Sequence, residues 1–258
     1  MKKNIINKIK KKFLNFNFIF IIIFLLSISL FFYIYFSSKK ILNVYFQIVE
    51  KYSNQYDYNL TNIEISNLDY LNDYDILAHF NSYIGKSIFL IPINDIAEII
   101  KKNSWIKTLS IKSNYKNSLQ VNIEEEIPFG IYDNNQNKIL FSKNLIILEF
   151  LKDENDYSNL ITFYGDNSIN NSKKLIANFD NDFISMIESA NFIMNRRWDL
   201  LMKNLILLKL PENNIKDSVN SYNKIYTNLS NQDLNDIKSI DLRIKGQATI
   251  KYRTLSND

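Results

Sequence analysis

The chain has 258 residues, of which 46% are hydrophobic and 22% charged, with 31 basic and 27 acidic side chains. Six of the basic residues are lysines within the first 12 positions, so the rest of the chain carries 25 basic against 27 acidic residues. This near balance argues against a nucleic-acid-binding protein. The chain has no cysteine, which excludes disulfides, thiolate catalysis and cysteine-ligated metal sites.

The first predicted element is an apolar stretch, Phe13–Ser38, of 26 residues without Asp, Glu, Lys, Arg or His. About 20 apolar residues in a helix cross a bilayer, so this stretch predicts a transmembrane helix. The lysine-rich residues 1–12 predict a cytoplasmic tail, because positive flanks stay inside, and the bulk of the chain then lies outside the cytoplasm. The residues expected to form the membrane anchor are Phe18, Phe20, Ile22, Leu25, Leu26, Leu30 and Phe32.

Two other interpretations of the apolar stretch are weaker. A cleaved signal peptide has an apolar region of about 7 to 15 residues and a cleavage site of small residues, whereas this run is longer and ends at Phe36-Ser37-Ser38-Lys39. A helix of a soluble protein would show a polar face. After the anchor, residues 39–60 are predicted as a juxtamembrane linker, in which helical spacing continues from Ile41 and loosens at Ser53-Asn54-Gln55.

Residues 61–127 predict the order strand, helix, helix, strand, strand. The first strand contains Ile63 and Ile65, and the last two cover Trp105–Ile111 and Ser118–Ile123. Asn72 is expected to cap the first helix, and Gly85 to end it. The predicted apolar faces are Ile76, Leu77, Phe80 and Ile84 in the first helix, and Ile96, Ile99 and Ile100 in the second.

Residues 128–253 predict a β-rich domain with two helices, followed by a tail at 254–258. Ile131-Tyr132 and Ile139–Phe141 flank a polar turn, which indicates a hairpin. Further strands are expected after Arg196, at Leu205–Leu210 and from Ile240 onward. The two helices are marked by apolar residues at spacings of three and four, namely Leu175, Phe179, Phe183, Ile187 and Ala190, then Ile215, Val219, Tyr222, Ile225 and Leu229.

The succession of motifs resembles the FtsQ family of bacterial cell-division proteins, in which an anchor is followed by a POTRA module of order β-α-α-β-β and a β-rich domain. The resemblance covers essentially the whole chain and implies an α+β fold. The landmarks that carry it are Gly85, Phe89, Trp105, Glu125 and Pro128 in the first half, and Gly165, Arg196, Arg197, Trp198, Asp241 and Leu242 in the second. In this comparison Pro128 suits the end of a strand, where a missing N–H donor is harmless.

The resemblance implies a non-enzymatic scaffold of the division septum, anchored in the inner membrane with its bulk in the periplasm. Its implied partners are FtsB and FtsL, with FtsB bound as an extended segment. A POTRA-bearing module of an outer-membrane protein secretion or assembly system is the alternative. Such proteins normally carry several POTRA modules or a β-barrel, and this sequence indicates neither. A third, weaker possibility is an enzyme anchored outside the cytoplasm.

Catalytic and metal-binding chemistry is sparse in the sequence. The single histidine, His79, lies on the polar side of a predicted helix and is interpreted as a solvated residue. Glu124, Glu125 and Glu126 would alternate between the faces of a strand and so would not converge on a cation. The acidic run Asp153–Asp156 indicates an exposed loop rather than a calcium site. The expectation is therefore no enzyme activity, no cofactor, no metal and no small-molecule substrate.

The cluster Arg196-Arg197-Trp198 has two interpretations. Arg and Trp dominate protein-binding hot spots, so the cluster could face a partner. The favoured interpretation is structural, with Trp198 in the core of the β-rich domain and the arginines paired with carboxylates.

The segment Leu242–Arg253 is the leading candidate for partner binding, because apolar and basic residues alternate along it as in a strand. A charged face protects an edge strand from random pairing, which is one explanation of the pattern. The same edge offers unpaired N–H and C=O groups to the strand of a partner. The resemblance implies that second role, and the residues predicted to take part in strand addition are Arg243, Ile244, Lys245, Gly246, Ala248, Ile250 and Tyr252.

Overall fold

A computed structural model describes residues 2–66, 68–152 and 157–253, and it leaves the side chains of residues 2–19, 36–39 and 231–232 outside the description. The predicted acidic loop Asp153–Asp156 and the predicted tail at 254–258 therefore lie outside the described residues. The chain divides into two compact units. The first draws on residues within 1–66, 73–97 and 110–122, and the second on residues within 67–72, 98–109 and 123–258.

The N-terminal helix α1 runs without interruption over Lys2–Tyr56. Within the described residues it is the one helix long and apolar enough to cross a membrane. The predicted loosening at Ser53-Asn54-Gln55 is wrong, because the helix continues through these polar residues. Its last turns are held by the buried Ser53, whose hydroxyl shares a 2.7 Å hydrogen bond with that of Ser87.

The first unit contains the predicted strand, helix, helix, strand, strand order. Strand β1 covers Asn62–Ile65, α2 Asp73–Ala78, α3 Ile93–Ile100, β2 Ile106–Ser113 and β3 Ser118–Glu125. The sheet has the order β1-β3-β2, with β1 parallel to β3, and α3, β2 and β3 contribute residues to both units. The buried apolar residues of the first unit are Leu60, Ile76, Phe80, Ile88, Ile91, Ile96, Leu119 and Val121.

Two predicted core residues of these helices are exposed instead. Ile84 is 49% exposed because α2 ends at Ala78, and Ile84 adopts a non-helical conformation between the 3-10 turns Asn81–Tyr83 and Ile88–Leu90. Ile99 is 50% exposed. In the eight-residue helix α3, Ile96 and Ile100 lie about one turn apart on the buried face, and Ile99 lies to the side of that face. The two helices were predicted correctly, but the first is shorter than expected and Ile99 is not on the buried face of the second.

The second unit is built on one nine-stranded mixed sheet of order β12-β11-β10-β9-β8-β7-β4-β5-β6. The predicted hairpin is confirmed as β4 and β5, which pair antiparallel. Pro128 opens β4 rather than closing β3, a position where its missing N–H is equally harmless. The strand bounds are Pro128–Asp133 for β4, Lys138–Ser142 for β5, Ile147–Leu151 for β6, Thr162–Tyr164 for β7, Ile187–Ile193 for β8, Arg197–Met202 for β9, Leu207–Lys209 for β10, Ile237–Asp241 for β11 and Thr249–Tyr252 for β12.

The described part of this unit has four helices where two were predicted. They are α4 (Ser168–Ile176), α5 (Asn181–Ser185), α6 (Ile215–Asn228) and α7 (Asn231–Asp236). The predicted long helix over 175–190 is wrong, because Asp180 caps a new helix by accepting the N–H of Phe183 at 2.8 Å. Ile187 and Ala190 then belong to β8, where both are buried.

The main core of the second unit consists of buried apolar residues from β5, from β7 to β11, from helices α4 to α7 and from the loops between them. Trp198 is central to it, because it stacks on Phe192 at a ring distance of 4.6 Å and meets Phe163 edge to face at 6.0 Å. A second cluster contains Trp105, Ile131, Leu140 and Leu148. The middle strands of the sheet are thus buried, and β12 and β6 are its two edge strands.

Candidate partner-binding edge

Strand β12 lies at one end of the nine-stranded sheet. It pairs antiparallel with β11, and among the described residues it has no strand on its other side. The predicted strand over Leu242–Arg253 is much shorter than expected, since only Thr249–Tyr252 is extended. The prediction of an edge strand at the C-terminal end of the domain is nonetheless matched by its place in the sheet.

Hydrogen bonding to β11 determines which backbone groups of β12 face outward. The N–H of Arg253 donates to the carbonyl oxygen of Asp236 at 2.7 Å, so Arg253 is turned toward β11. Backbone groups alternate in direction along an antiparallel strand. The pairing of the two strands is irregular at one place, where Lys238 is an extra residue on β11, so the alternation along β12 is unbroken. It follows that the N–H and C=O groups of Ile250 and Tyr252 point away from the sheet, where a partner strand could pair with them.

The side chains of β12 divide between the two faces of the sheet. Ile250 lies opposite Ile240 and packs against the main core, while Tyr252 lies opposite Ile237 and is 54% exposed. The alternate residues, Thr249 and Lys251, project to the other face and are exposed. A strand added at this edge would therefore have an apolar neighbour on one face and a polar or basic one on the other.

The segment between β11 and β12 forms a turn beside this edge. Leu242 is buried, with its N–H bonded to the carbonyl of Lys209 at 2.9 Å, while Arg243, Ile244, Lys245, Gly246 and Ala248 are exposed. Gly246 has φ +77 in this turn. The segment and the start of α6 line a cleft of about 590 Å³, whose charged residues include Glu212, Asp217 and Lys245. The residues predicted for strand addition thus fall into two groups, a free strand edge and an exposed turn.

Asp241 and Arg243 form an ion pair that fixes this turn. The Arg243 guanidinium donates through Nε at 2.8 and 2.9 Å and through one terminal nitrogen at 2.5 Å to the carboxylate. These bonds from Arg243 hold the pKa of Asp241 below its ordinary value and raise the pKa of Arg243. Lys209 lies beside Asp241 in register and, on its other side, beside Asp199. In Asp199 burial raises the pKa of the carboxyl, and Arg197 opposes that rise.

The cluster Arg196-Arg197-Trp198 is mainly structural. Trp198 is only 4% exposed, so its ring lies in the core and is not available on the surface. Arg197 approaches Asp199 at 3.8 Å, and the exposed Arg196 approaches Glu212 at 3.5 Å. The structure thus agrees with the interpretation that the arginines pair with carboxylates.

The other sequence landmarks hold local structure rather than one site. Trp105 is buried and stacks on Tyr70 at 5.1 Å. Gly165 has φ +91, and a Cβ there would lie 2.4 Å from the carbonyl oxygen of Phe192. Phe89 is 51% exposed and contacts the ring of Tyr58 at 5.6 Å. Gly85 has φ +79 after the first 3-10 turn.

The three consecutive glutamates have three different partners. Glu124 pairs with Lys107, Glu126 is buried and accepts from the Asn144 amide at 3.1 Å, and the carboxylate of Glu125 accepts backbone N–H groups of residues 69–71 at 2.6 to 3.1 Å. His79 is exposed just beyond α2. Among the described residues no group of three His, Asp or Glu side chains is arranged to hold a metal ion.

The predicted anchor residues on α1 present their side chains outward. Phe20, Ile22, Leu25, Leu26, Leu30 and Phe32 are 42 to 63% exposed, whereas the side chain of Phe18 lies outside the described part of the chain. Helix α7 was not predicted. Its signal is a capping box, in which Ser230 and Asp233 exchange hydrogen bonds with each other's backbone N–H.

Comparisons with known proteins agree with this organisation. The family model for the FtsQ-type POTRA domain matches residues 58–126, and the model for the C-terminal domain of cell division protein FtsQ/DivIB matches residues 131–243. Relatives named cell division protein FtsQ include that of Rickettsia felis, 27% identical over 203 residues, which are 75% of this chain and 72% of the relative.

Two further relatives carry the same name. The Rickettsia prowazekii protein is 26% identical over 219 residues, covering 82% of this chain and 77% of the relative. The Rhizobium meliloti protein is 22% identical over 196 residues, covering 74% of this chain and 62% of the relative. With its apolar N-terminal helix, its POTRA domain and its β-rich C-terminal domain, the chain belongs to the FtsQ family of bacterial cell-division proteins.

Proposed function

We propose that this protein is a non-enzymatic scaffold of the bacterial divisome, which binds FtsB, and through it FtsL, by adding a strand of FtsB to the edge of β12. The observation that carries the proposal is the outward direction of the Ile250 and Tyr252 backbone groups at the end of the sheet. Strand addition uses unpaired groups of this kind for affinity, and the neighbouring side chains for selectivity.

The proposed topology is a single pass through the inner membrane, with residues 1–12 in the cytoplasm, 13–38 in the bilayer and the bulk in the periplasm at the division site. It rests on the exposed apolar surface of α1 and on the lysines that precede it. The proposed domain boundaries are 39–60 for the juxtamembrane segment, 61–127 for the POTRA domain and 128–253 for the β-rich domain. A fluorescent fusion should concentrate at mid-cell, and an even distribution around the envelope would contradict the proposed site of action.

The strand-addition proposal is tested by replacing Ile250 with proline in the full chain and measuring capture of the periplasmic part of FtsB. Proline removes the outward N–H donor while the residue stays at the sheet edge. Capture should be lost in Ile250→Pro and kept in Ile250→Val, which retains both the N–H and a branched side chain. Equal capture by the two folded variants would refute pairing at β12.

A further inference from the structure

Strand β12 is attached to the rest of the sheet mainly through its backbone. Among its four side chains, Ile250 packs against the main core, and the other three, Thr249, Lys251 and Tyr252, are exposed. The chain enters the strand from the exposed turn that follows Leu242. The far end of a strand with so little buried surface frays unless other bonds tie it down.

Arg253 ties the far end of β12 to two separate segments. Its backbone N–H donates to the carbonyl oxygen of Asp236, directly before β11, at 2.7 Å. Its guanidinium donates through a terminal nitrogen to the carbonyl oxygen of Leu205 at 3.0 Å. Because Leu205 lies in the turn between β9 and β10, the Arg253 side chain reaches past the neighbouring strand. The end of β12 is thus bonded both to the segment before β11 and to the hairpin beyond it.

The turn that supplies this carbonyl has an unusual backbone. Leu205 has φ +65 and is 62% exposed. The same sequence, Lys-Asn-Leu, forms a turn with the same two closing hydrogen bonds between β5 and β6, where Leu145 also has φ +65 but packs against the main core. Leu205 leaves most of its side chain exposed, and its carbonyl is bonded by Arg253. Backbone strain of this kind marks turns with a specific role, and here the turn presents an acceptor to Arg253.

The bond to Leu205 bears on partner binding because strand addition needs an edge that is already extended. A frayed strand must be ordered when the partner arrives, and that ordering reduces the affinity. The guanidinium is charged at every pH at which the domain could bind a partner, and a charged donor forms a stronger hydrogen bond than a neutral one. The bond to Leu205 therefore favours the extended state of β12 before binding.

We propose that Arg253 is a positioning residue for partner capture, whose guanidinium holds the end of β12 extended so that Ile250 and Tyr252 present their backbone groups to the added strand. The proposal rests on strand addition at β12, the function proposed above. The N–H of Arg253 itself is directed toward β11, so Arg253 acts through its two neighbours and not by pairing with the partner.

Hydrogen exchange in the full chain without FtsB tests the positioning step by itself. In Arg253→Ala the N–H groups of residues 249–253 that face β11 should exchange about tenfold faster, the factor expected for losing a hydrogen bond from a charged donor. Arg253→Lys keeps a long side chain that ends in a charged donor and should restore most of the protection. Lys251→Ala removes a basic side chain from the same strand and should leave the exchange unchanged. Exchange in β9 should be the same in all variants, which shows that the domain stays folded.

Capture of the periplasmic part of FtsB is then measured with the same variants. The affinity should fall about tenfold in Arg253→Ala and recover in Arg253→Lys. Unchanged exchange in Arg253→Ala would overturn the proposal. Faster exchange in Arg253→Ala with unchanged capture would also overturn it, provided that Ile250→Pro abolishes capture. Capture that survives both Arg253→Ala and Ile250→Pro would overturn strand addition at β12 itself, and with it the role of Arg253.

Discussion

The backbone N–H of Arg253 donates to the carbonyl oxygen of Asp236 at 2.7 Å. This bond joins the end of β12 to the residue just before β11 and sets the direction of every backbone group between them. Residues 249, 251 and 253 turn toward β11, and residues 250 and 252 turn toward solvent. Neighbouring residues of this strand therefore differ in role: the backbone groups of one bond to β11, and those of the next face solvent and are free to bind.

Proline at Lys251 is expected to destabilise the domain relative to alanine at the same position, whereas proline at Ile250 is not. The Lys251 N–H points toward β11, and losing one ladder hydrogen bond costs about 1 kcal/mol. Alanine is the reference at each position, because Ile250 packs against the main core and any smaller residue there loses that contact. Chemical denaturation should show a lower free energy of unfolding for Lys251→Pro than for Lys251→Ala, and no such difference between Ile250→Pro and Ile250→Ala. A matching difference at Ile250 would mean that the assigned alternation of the strand is wrong.

Arg243→Ala is expected to flatten the acid dependence of stability. The ion pair keeps the pKa of Asp241 below its ordinary value. At any pH above that ordinary pKa, the charged carboxylate therefore stabilises the folded state. This stability is lost as the pH falls through the lowered pKa. Urea unfolding at about pH 6 and about pH 3 should therefore show a smaller loss in Arg243→Ala than in the natural protein.

Arg243→Lys is the control for that measurement, since it keeps a cation without the two-pronged geometry of the guanidinium. Its acid dependence should lie between those of the natural protein and Arg243→Ala. Identical curves for all three proteins would show that the pair contributes nothing to the pH dependence.

Glu125→Ala should destabilise the protein by about 1 to 2 kcal/mol, because the carboxylate accepts the N–H groups of Asp69, Tyr70 and Leu71. Thermal unfolding measures the change. Glu124→Ala is the matched control one residue away, where the carboxylate forms an exposed pair with Lys107. That variant should change little, since exposed ion pairs contribute little. Equal effects of the two substitutions would count against the proposed role of Glu125.

Gly165→Ala is expected to cost more than about 2 kcal/mol, because a positive φ and a steric clash act together. Its φ is +91, and the added Cβ would lie 2.4 Å from the carbonyl oxygen of Phe192. In Gly246→Ala the φ is +77 and no atom lies within 4 Å of the added Cβ, so only the backbone strain of about 1 kcal/mol remains. Denaturant titrations of both variants should show this order, and the reverse order would contradict the assigned cause.

Features that depend on spacing along the chain were readable from the sequence. The absence of charge in Phe13–Ser38 predicted a long apolar helix, and alternation in Ser118–Ile123 predicted β3. The order of landmarks from Gly85 to Leu242 gave the family. The prediction of one helix over 175–190 was wrong, because apolar residues spaced three and four apart do not show where a capping residue such as Asp180 begins a new helix.

The apolar N-terminal helix, the succession of domains and the alternating segment near the C-terminus could all be read from the sequence, because each depends on residues close together in the chain. The place of Thr249–Tyr252 at the end of a nine-stranded sheet, the burial of Trp198 and the outward direction of the Ile250 backbone became visible only in the fold. Strand order and hydrogen-bond direction are set by pairing between distant segments, which spacing along the chain does not reveal.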